Sequence, residues 1–249
     1  MADLTTILGV IPARLGSSRL PGKVIKLIGD KPVVVWVYEA AKRSKRLTDV
    51  VVAVDSDEVM DVCIRYSVPA IMTSPEHRCG SDRLNEVMGR RDADIYVNIQ
   101  GDEPTLRPDH LDLLLSPFFD RPDEAFVSTL MVEIDEEAAL DPNNVKVIVD
   151  SQQRALYFSR FPLPYDRDGV GGFQRHKHIG LYAYRRDVLA LFHTWPPSNL
   201  EIAESLEQLR FLHNGVPIHV LKTEFNTIGV DTAEDLERAR AVLESRSTG

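Results

Sequence analysis

Three basic side chains, Arg14, Arg19 and Lys23, fall within the stretch Ile11 to Lys23, IPARLGSSRLPGK, directly after an apolar run. Guanidinium groups bind phosphate oxygens in a fork, and lysine adds a mobile point charge. Gly16, Ser17, Ser18, Pro21 and Gly22 occupy the same stretch. A glycine-containing loop can turn several backbone N–H groups towards one anion, so the chemistry on offer is polyphosphate binding. These residues also fit a solvated basic loop. The loop is not a Walker A motif, because five residues separate Gly16 from Gly22 and Val24 stands where Ser or Thr would ligate a metal.

Two carboxylates complete the candidate chemistry. Asp102 follows the apolar segment Ile95 to Gln100, IYVNIQ, and Asp231 immediately precedes the last helical pattern. Each alone serves equally as a turn or cap residue. Together they provide the one or two carboxylates that Mg2+ takes when phosphates and water complete its shell.

The elements needed to position these residues alternate. Thr6 to Ala13, Asp49 to Val54, Ala70 to Met72 and Ile95 to Gln100 have strand character. Between them, Val33 to Ser44, the segment from Asp55 through Tyr66, and Gly80 to Arg91 have helical spacing or start signals. This order predicts an α/β fold with a mostly parallel sheet and helices on both faces, its ligands beyond the carboxyl ends of the strands. From Ala125 the pattern changes to strands at Ala125 to Val132, Val145 to Val149, Ala155 to Ser159 and Ile179 to Tyr184, an antiparallel extension. Pro162 to Gly172 has no regular pattern; Leu200 to Asn214 is expected as one helix, Ile218 to Leu221 as a strand, and Thr232 with Asp235 as the capped start of the final helix.

Composition narrows the function classes. The 249 residues are 43% hydrophobic and carry a formal net charge of −9, a balance that excludes general nucleic-acid binding. Cys63 and Cys79 are the only cysteines, too few for a disulfide framework. No targeting pattern or membrane-spanning run is visible, so a soluble cytoplasmic protein without a membrane partner is expected.

Seven segments, in order, carry a resemblance: IPARLGSSRLPGK, HRCGSDR at His77 to Arg83, VNIQGDEP at Val97 to Pro104, ALYFSR at Ala155 to Arg160, KHIGLYAYR at Lys177 to Arg185, LEQLR at Leu206 to Arg210, and GVDTAEDLERAR at Gly229 to Arg240. Together they closely resemble the CMP-Kdo synthetases, the 3-deoxy-manno-octulosonate cytidylyltransferases, along nearly the whole chain. The resemblance implies a Rossmann-like nucleotidyltransferase sheet in one domain, residues 1–249. Its CTP-binding portion is expected at about 1–124 and 225–249, and its sugar-binding and dimerisation portion at about 125–224.

The implied activity is Mg2+-dependent transfer of CMP from CTP to the anomeric hydroxyl of Kdo. Arg14, Ser17, Arg19 and Lys23 would bind the triphosphate, and Asp102 and Asp231 the metal. His77, Gly80, Ser81 and Arg83 would lie near cytosine and ribose, while Gln100, Arg160, His178, Tyr182, Glu207 and Gln208 would form the sugar pocket, with Arg160 facing the sugar carboxylate. Without the resemblance, Glu207 and Gln208 read as the polar face of a helix, His77 and Arg83 as helix packing, and Phe192 and Trp195 as core or interface. The family is typically homodimeric.

Departures from the family pattern are Cys79, Gly80 and Ser81 where Ser-Gly-Thr is usual, LPY at Leu163 to Tyr165 in place of IPW, and NTIGVDT at Asn226 to Thr232 in place of PGTGVDT. The same chemistry on an amino-substituted Kdo or a sialic acid, and a nucleotide-binding protein without turnover, are the competing readings. No general base is assigned.

Overall fold

In the computed structural model, which describes residues 5–17, 19–77 and 80–247, the chain separates into two compact units, 1–112 with 227–249, and 113–226. The first unit begins with β1 (Ile7–Ala13), nearly all of it buried, as a continuous apolar run requires when both sheet faces are covered. A 3-10 turn at Lys23–Ile25 and a small hairpin, β2 (Leu27–Ile28) with β3 (Lys31–Pro32), precede helix α1 (Val33–Lys42). Helix α1 opens on three valines, poor helix formers, yet Val33, Val34, Val35 and Val37 are all buried, so packing overrides local preference.

Strand β4 (Asp49–Val54), helix α2 (Asp57–Arg65), β5 (Ala70–Met72), α3 (Gly80–Met88) and β6 (Ile95–Asn98) follow. The strands β6, β1, β4 and β5 are neighbours in that order and all parallel. Ser56 caps α2 by accepting from Val59 N at 3.4 Å, and Asp57 and Glu58 place negative charge in its first turn. The C-terminal helix, Ala233–Ser247, starts with a reciprocal cap: Thr232 N donates to Asp235 Oδ2 at 2.9 Å, and Asp235 N to Thr232 Oγ1 at 3.2 Å. Ile28, Val33, Val230, Ala239 and Leu243 form one buried cluster, which anchors the segment before that helix. Each of its Ile, Val and Leu side chains contributes about 1.5–3 kcal/mol when fully buried.

Helices α4 (Pro108–Leu114) and α5 (Ser116–Asp120) lead into the second unit. There β7 (Val127–Ile134) is followed by α6 (Glu136–Leu140), β8 (Lys146–Val149), β9 (Ala155–Ser159), β10 (Arg175–Arg185), α7 (Arg186–Phe192), α8 (Asn199–Glu204), α9 (Leu209–His213) and β11 (Ile218–Thr223). Strand β7 pairs parallel with β11 and antiparallel with β10, while β8 pairs antiparallel with both β10 and β9. The α/β class and the antiparallel extension are therefore as expected.

One expected element divides in two. Leu200 to Asn214 has helical periodicity, but Ser205 adopts a left-handed conformation with φ 53° and ends α8. Glu207 and Gln208 consequently lie in the connection before α9, not on the polar face of a continuous helix. Among the described residues, no helix is long and apolar enough to cross a membrane.

Candidate functional site

In the first unit the charged residues converge beyond the ends of β1 and β6. Gly22, at φ 65°, takes a left-handed conformation that favours glycine, and its N–H closes the basic loop onto Leu15 O at 3.1 Å. That turn delivers Lys23 at the start of the 3-10 segment, where it is 6% exposed. Its ammonium donates to both Asp102 and Asp231, the latter at 2.7 Å. Burial works against the charged form, but the two carboxylates outweigh it and raise the Lys23 pKa. Arg19 reaches the other oxygen of Asp231 at 2.7 Å from an exposed position.

The backbone holds this cluster in register. Val230 N donates to Asp102 O at 2.8 Å, clipping together the two segments that bear the carboxylates. Gly101 packs so closely on β1 that a Cβ there would lie 2.5 Å from Pro12 O. Arg14 is exposed on the same loop and makes no ion pair with another described residue. Ser17 is half-buried and accepts from Leu20 N at 3.4 Å. Among the described residues no group of three or more His, Cys, Asp or Glu side chains is placed to hold a metal. Asp102 and Asp231 nevertheless offer hard oxygens and share one cation already, so this donor pair fits a magnesium-type ion completed by phosphate and water oxygens.

A second group braces the basic loop. Arg83, on α3, is 3% exposed, donates to Thr73 Oγ1 and lies 3.5 Å from Asp55 Oδ2. Asp55 Oδ1 in turn accepts from Leu15 N at 2.9 Å. Burial lowers the Arg83 pKa against the opposing pull of Asp55 and Glu86. His77 is paired with Glu86 at 2.6 Å, and Glu86 also accepts from Ser74 N at 2.8 Å. In this structure Arg83 and His77 thus make the packing contacts that were the alternative to base binding. Ser81 is buried, and Gly80 meets Asn98, where an added Cβ would come within 3.1 Å of Nδ2.

Glu86 and Asn98 were not singled out from the sequence. Glu86 was visible only as one more charge at helical spacing from Arg90. The Asn98 carboxamide oxygen is buried without a hydrogen-bond partner. Cys79 lies outside the described residues. Cys63 is buried and its thiol is pushed up to about 11 by desolvation, which leaves it inert near neutral pH.

In the second unit, β10 carries a register shift between Ile179 and Tyr182. Residues four apart on a regular strand are separated by about 13 Å, yet the His178 and Tyr182 rings have centroids 5.2 Å apart. The bulge folds them together, and Thr129 Oγ1 stabilises it by donating to Leu181 O at 2.7 Å. His178 Nε2 lies 3.0 Å from Thr129 Oγ1, with Phe158 edge-on at 5.2 Å. Although some ring surface stays accessible, these apolar surroundings push the His178 pKa down to about 3.

The folded pKa of His178 lies below its unfolded value, so its neutral burial costs nothing above about pH 6.5 and destabilises the fold progressively as pH falls towards 3. Replacing His178 by Gln is expected to lower the midpoint of acid unfolding, followed by circular dichroism. An unchanged acid limb would contradict this.

The Tyr182 phenol is buried, and desolvation raises its pKa against the opposing effect of the neighbouring Thr129 hydroxyl. Gln208 is 7% exposed and its amide nitrogen is unpartnered. Glu207 adjoins Gln208 in the α8–α9 connection, and Gln100 follows β6 in the first unit.

Arg160 donates to the carbonyls of Glu204 at 2.8 Å, Pro142 at 3.0 Å and Ser205 at 3.4 Å. With five N–H donors on a guanidinium, two remain for an anion. Phe192 is core, stacked on Phe211 with centroids 4.6 Å apart.

A cytidylyltransferase family model matches residues 8–223. The chain is 50% identical over 240 residues to the 3-deoxy-manno-octulosonate cytidylyltransferase of Koribacter versatilis, covering 96% of this chain and 91% of that one. It is 46% identical to the enzyme of the same name from Flavobacterium johnsoniae, covering 95% and 98%. A solved CMP:2-keto-3-deoxy-manno-octonic acid synthetase complexed with CTP superposes with a TM-score of 0.93 at 44% identity, covering 97% of this chain and all of that one. A 4-diphosphocytidyl-2C-methyl-D-erythritol synthase from Anaerococcus prevotii shares the fold alone, at TM-score 0.65 and 14% identity.

Proposed function

The chain belongs to the 3-deoxy-manno-octulosonate cytidylyltransferases, and from that premise we propose that it transfers CMP from CTP to the anomeric hydroxyl of Kdo. The sugar hydroxyl gives up its proton as its oxygen forms a bond to the α-phosphorus, the α–β phosphoanhydride bond breaks, and pyrophosphate leaves. The observation that carries this reading is the convergence of Arg19, Lys23, Asp102 and Asp231 beyond the strand ends.

Each residue has a role that its chemistry supports. Arg14, Arg19 and Lys23 hold the triphosphate and offset the charge gathering on the leaving group, with Ser17 and the loop N–H groups beside them. Asp102 and Asp231 hold Mg2+, which when bound supplies Lewis acidity at the phosphate oxygens. Arg83 positions the basic loop through Asp55 and, with His77, Gly80 and Ser81, shapes the cytidine end. Arg160 binds the sugar carboxylate, while Gln100, His178, Tyr182, Glu207 and Gln208 read hydroxyls. Neutral His178 serves as hydrogen-bonding group rather than cation.

The product would serve lipopolysaccharide assembly in the cytoplasm. Release of pyrophosphate from a panel of nucleoside triphosphates and sugar acids tests the reading; CTP with Kdo should give the fastest release. Binding of CTP without release on any sugar acid would refute it. Preference for an amino-substituted Kdo would attach to the altered Leu163 to Tyr165 segment.

Exposed Leu156, Phe161 and Tyr165, at 58%, 64% and 77%, support a homodimer built through the second unit. Small-angle scattering at micromolar concentration should return twice the monomer mass, and a monomeric mass would contradict it.

A further inference from the structure

Between Asp102 and Asp231 stands the Lys23 ammonium, paired with both, while the Arg19 guanidinium holds the outer oxygen of Asp231. Two carboxylates and two cations leave this cluster formally neutral. Lys23 is 6% exposed, and the Gly22 turn sets the backbone from which its side chain reaches the pair. A divalent cation entering these carboxylates alone would meet two positive groups within contact of its ligands. A triphosphate reverses the balance, because it carries more negative charge than the cation carries positive and gives both basic groups new partners.

We propose that Lys23 and Arg19 are internal counter-ions that occupy the carboxylate pair until nucleotide draws them away, so that divalent cation and CTP bind cooperatively. The inference rests on Asp102 and Asp231 being the metal ligands. Reciprocity requires that whatever nucleotide adds to cation affinity, the cation adds to nucleotide affinity. The pair is thereby protected from cations at times when no substrate is present, and the basic side chains are held near their phosphate-binding positions. Arg19, 61% exposed, is the outer partner, and Lys23, 8% exposed at its side chain, the inner one. Removing Lys23 should therefore free the carboxylates more than removing Arg19.

The test uses Mn2+ alone, titrated into nucleotide-free full-length protein and followed by the electron paramagnetic resonance signal of free Mn2+. Wild type should bind weakly. Lys23→Gln should bind about tenfold or more tightly, and Arg19→Gln more tightly by a smaller factor, since each removes a repelling charge at contact distance. Adding Asp102→Asn to either variant should abolish the gain. Arg19 is exposed, so its variant keeps the test if Lys23→Gln does not fold. Unchanged or weaker Mn2+ affinity in the folded variants, with Asp102→Asn still lowering Mn2+ binding to wild type, would overturn the counter-ion role and leave the metal assignment standing. A gain that survives both Asp102→Asn and Asp231→Asn would overturn the metal assignment itself.

Discussion

Lys23→Ala should lower kcat/KM for CTP by about 10^2- to 10^3-fold, the loss typical when one preorganised charge stabiliser is removed from a reacting centre. The lysine does two things that alanine cannot. It presents an ammonium to the developing charge on the leaving pyrophosphate, and it holds Asp102 and Asp231 close together while the site is without substrate. Without it the two carboxylates face one another with only Arg19 as neighbouring counter-charge on Asp231. Lys23→Arg should rescue poorly, because a planar guanidinium does not fit a site where the ammonium is 6% exposed between two carboxylates. Steady-state kinetics with varied CTP give the readout. Normal turnover and CTP affinity in Lys23→Ala would refute the assignment of the basic loop.

The residues that make this prediction possible were differently legible in the sequence. Strands β4, β5 and β9 were readable to the residue, because each is a short apolar or β-branched run closed by polar or turn residues. The cap of the C-terminal helix was readable as well, since Thr232 and Asp235 have the required spacing. Periodicity failed at Ser205, where a left-handed serine is invisible to a pattern that counts only apolar positions. It failed also at the β10 bulge, where Gly180 was the one local signal and apolar alternation does not register it.

Tertiary charge pairing was the least accessible feature. Lys23 lies 79 residues from Asp102 and 208 from Asp231; the pairing of β1 with β6 brings the first two together, and the Val230 N to Asp102 O bond brings in the third. The roles of Asp55 and Glu86 are hidden for the same reason. Asp55 looked like part of a helix-start signal, but Ser56 makes the cap and Asp55 ties Leu15 to Arg83. The overall charge of −9 coexists with this local basic loop because function depends on which charges the fold brings together, not on their sum.

Gly101→Ala should damage both stability and turnover, although it adds a single methyl group. The position does not need a left-handed backbone; its constraint is space. A Cβ there would sit 2.5 Å from Pro12 O and 3.3 Å from Ile11 Cγ2. Pro12 is paired with Ala53 of β4 near the end of a strand whose Ile7 to Val10 stretch also pairs with β6, so its carbonyl has little freedom to retreat. The loop after β6 must move instead, and it carries Asp102 together with the carbonyl that accepts from Val230 N at 2.8 Å. Overpacking of this kind costs about 1–3 kcal/mol, which corresponds to a fall in Tm of several degrees in a chain of this size. A displacement near 1 Å of a group that must meet the reacting phosphate costs about 10^2-fold in rate. Gly229→Ala is the control: it lies two residues before Asp231, and nothing is within 4 Å of its added Cβ, so it should change neither quantity much. Differential scanning fluorimetry and pyrophosphate-release kinetics on the two variants separate crowding from mere proximity to a carboxylate. Wild-type Tm and turnover in Gly101→Ala would show that the Asp102 loop is free to adjust and that its position is not set by the end of β1.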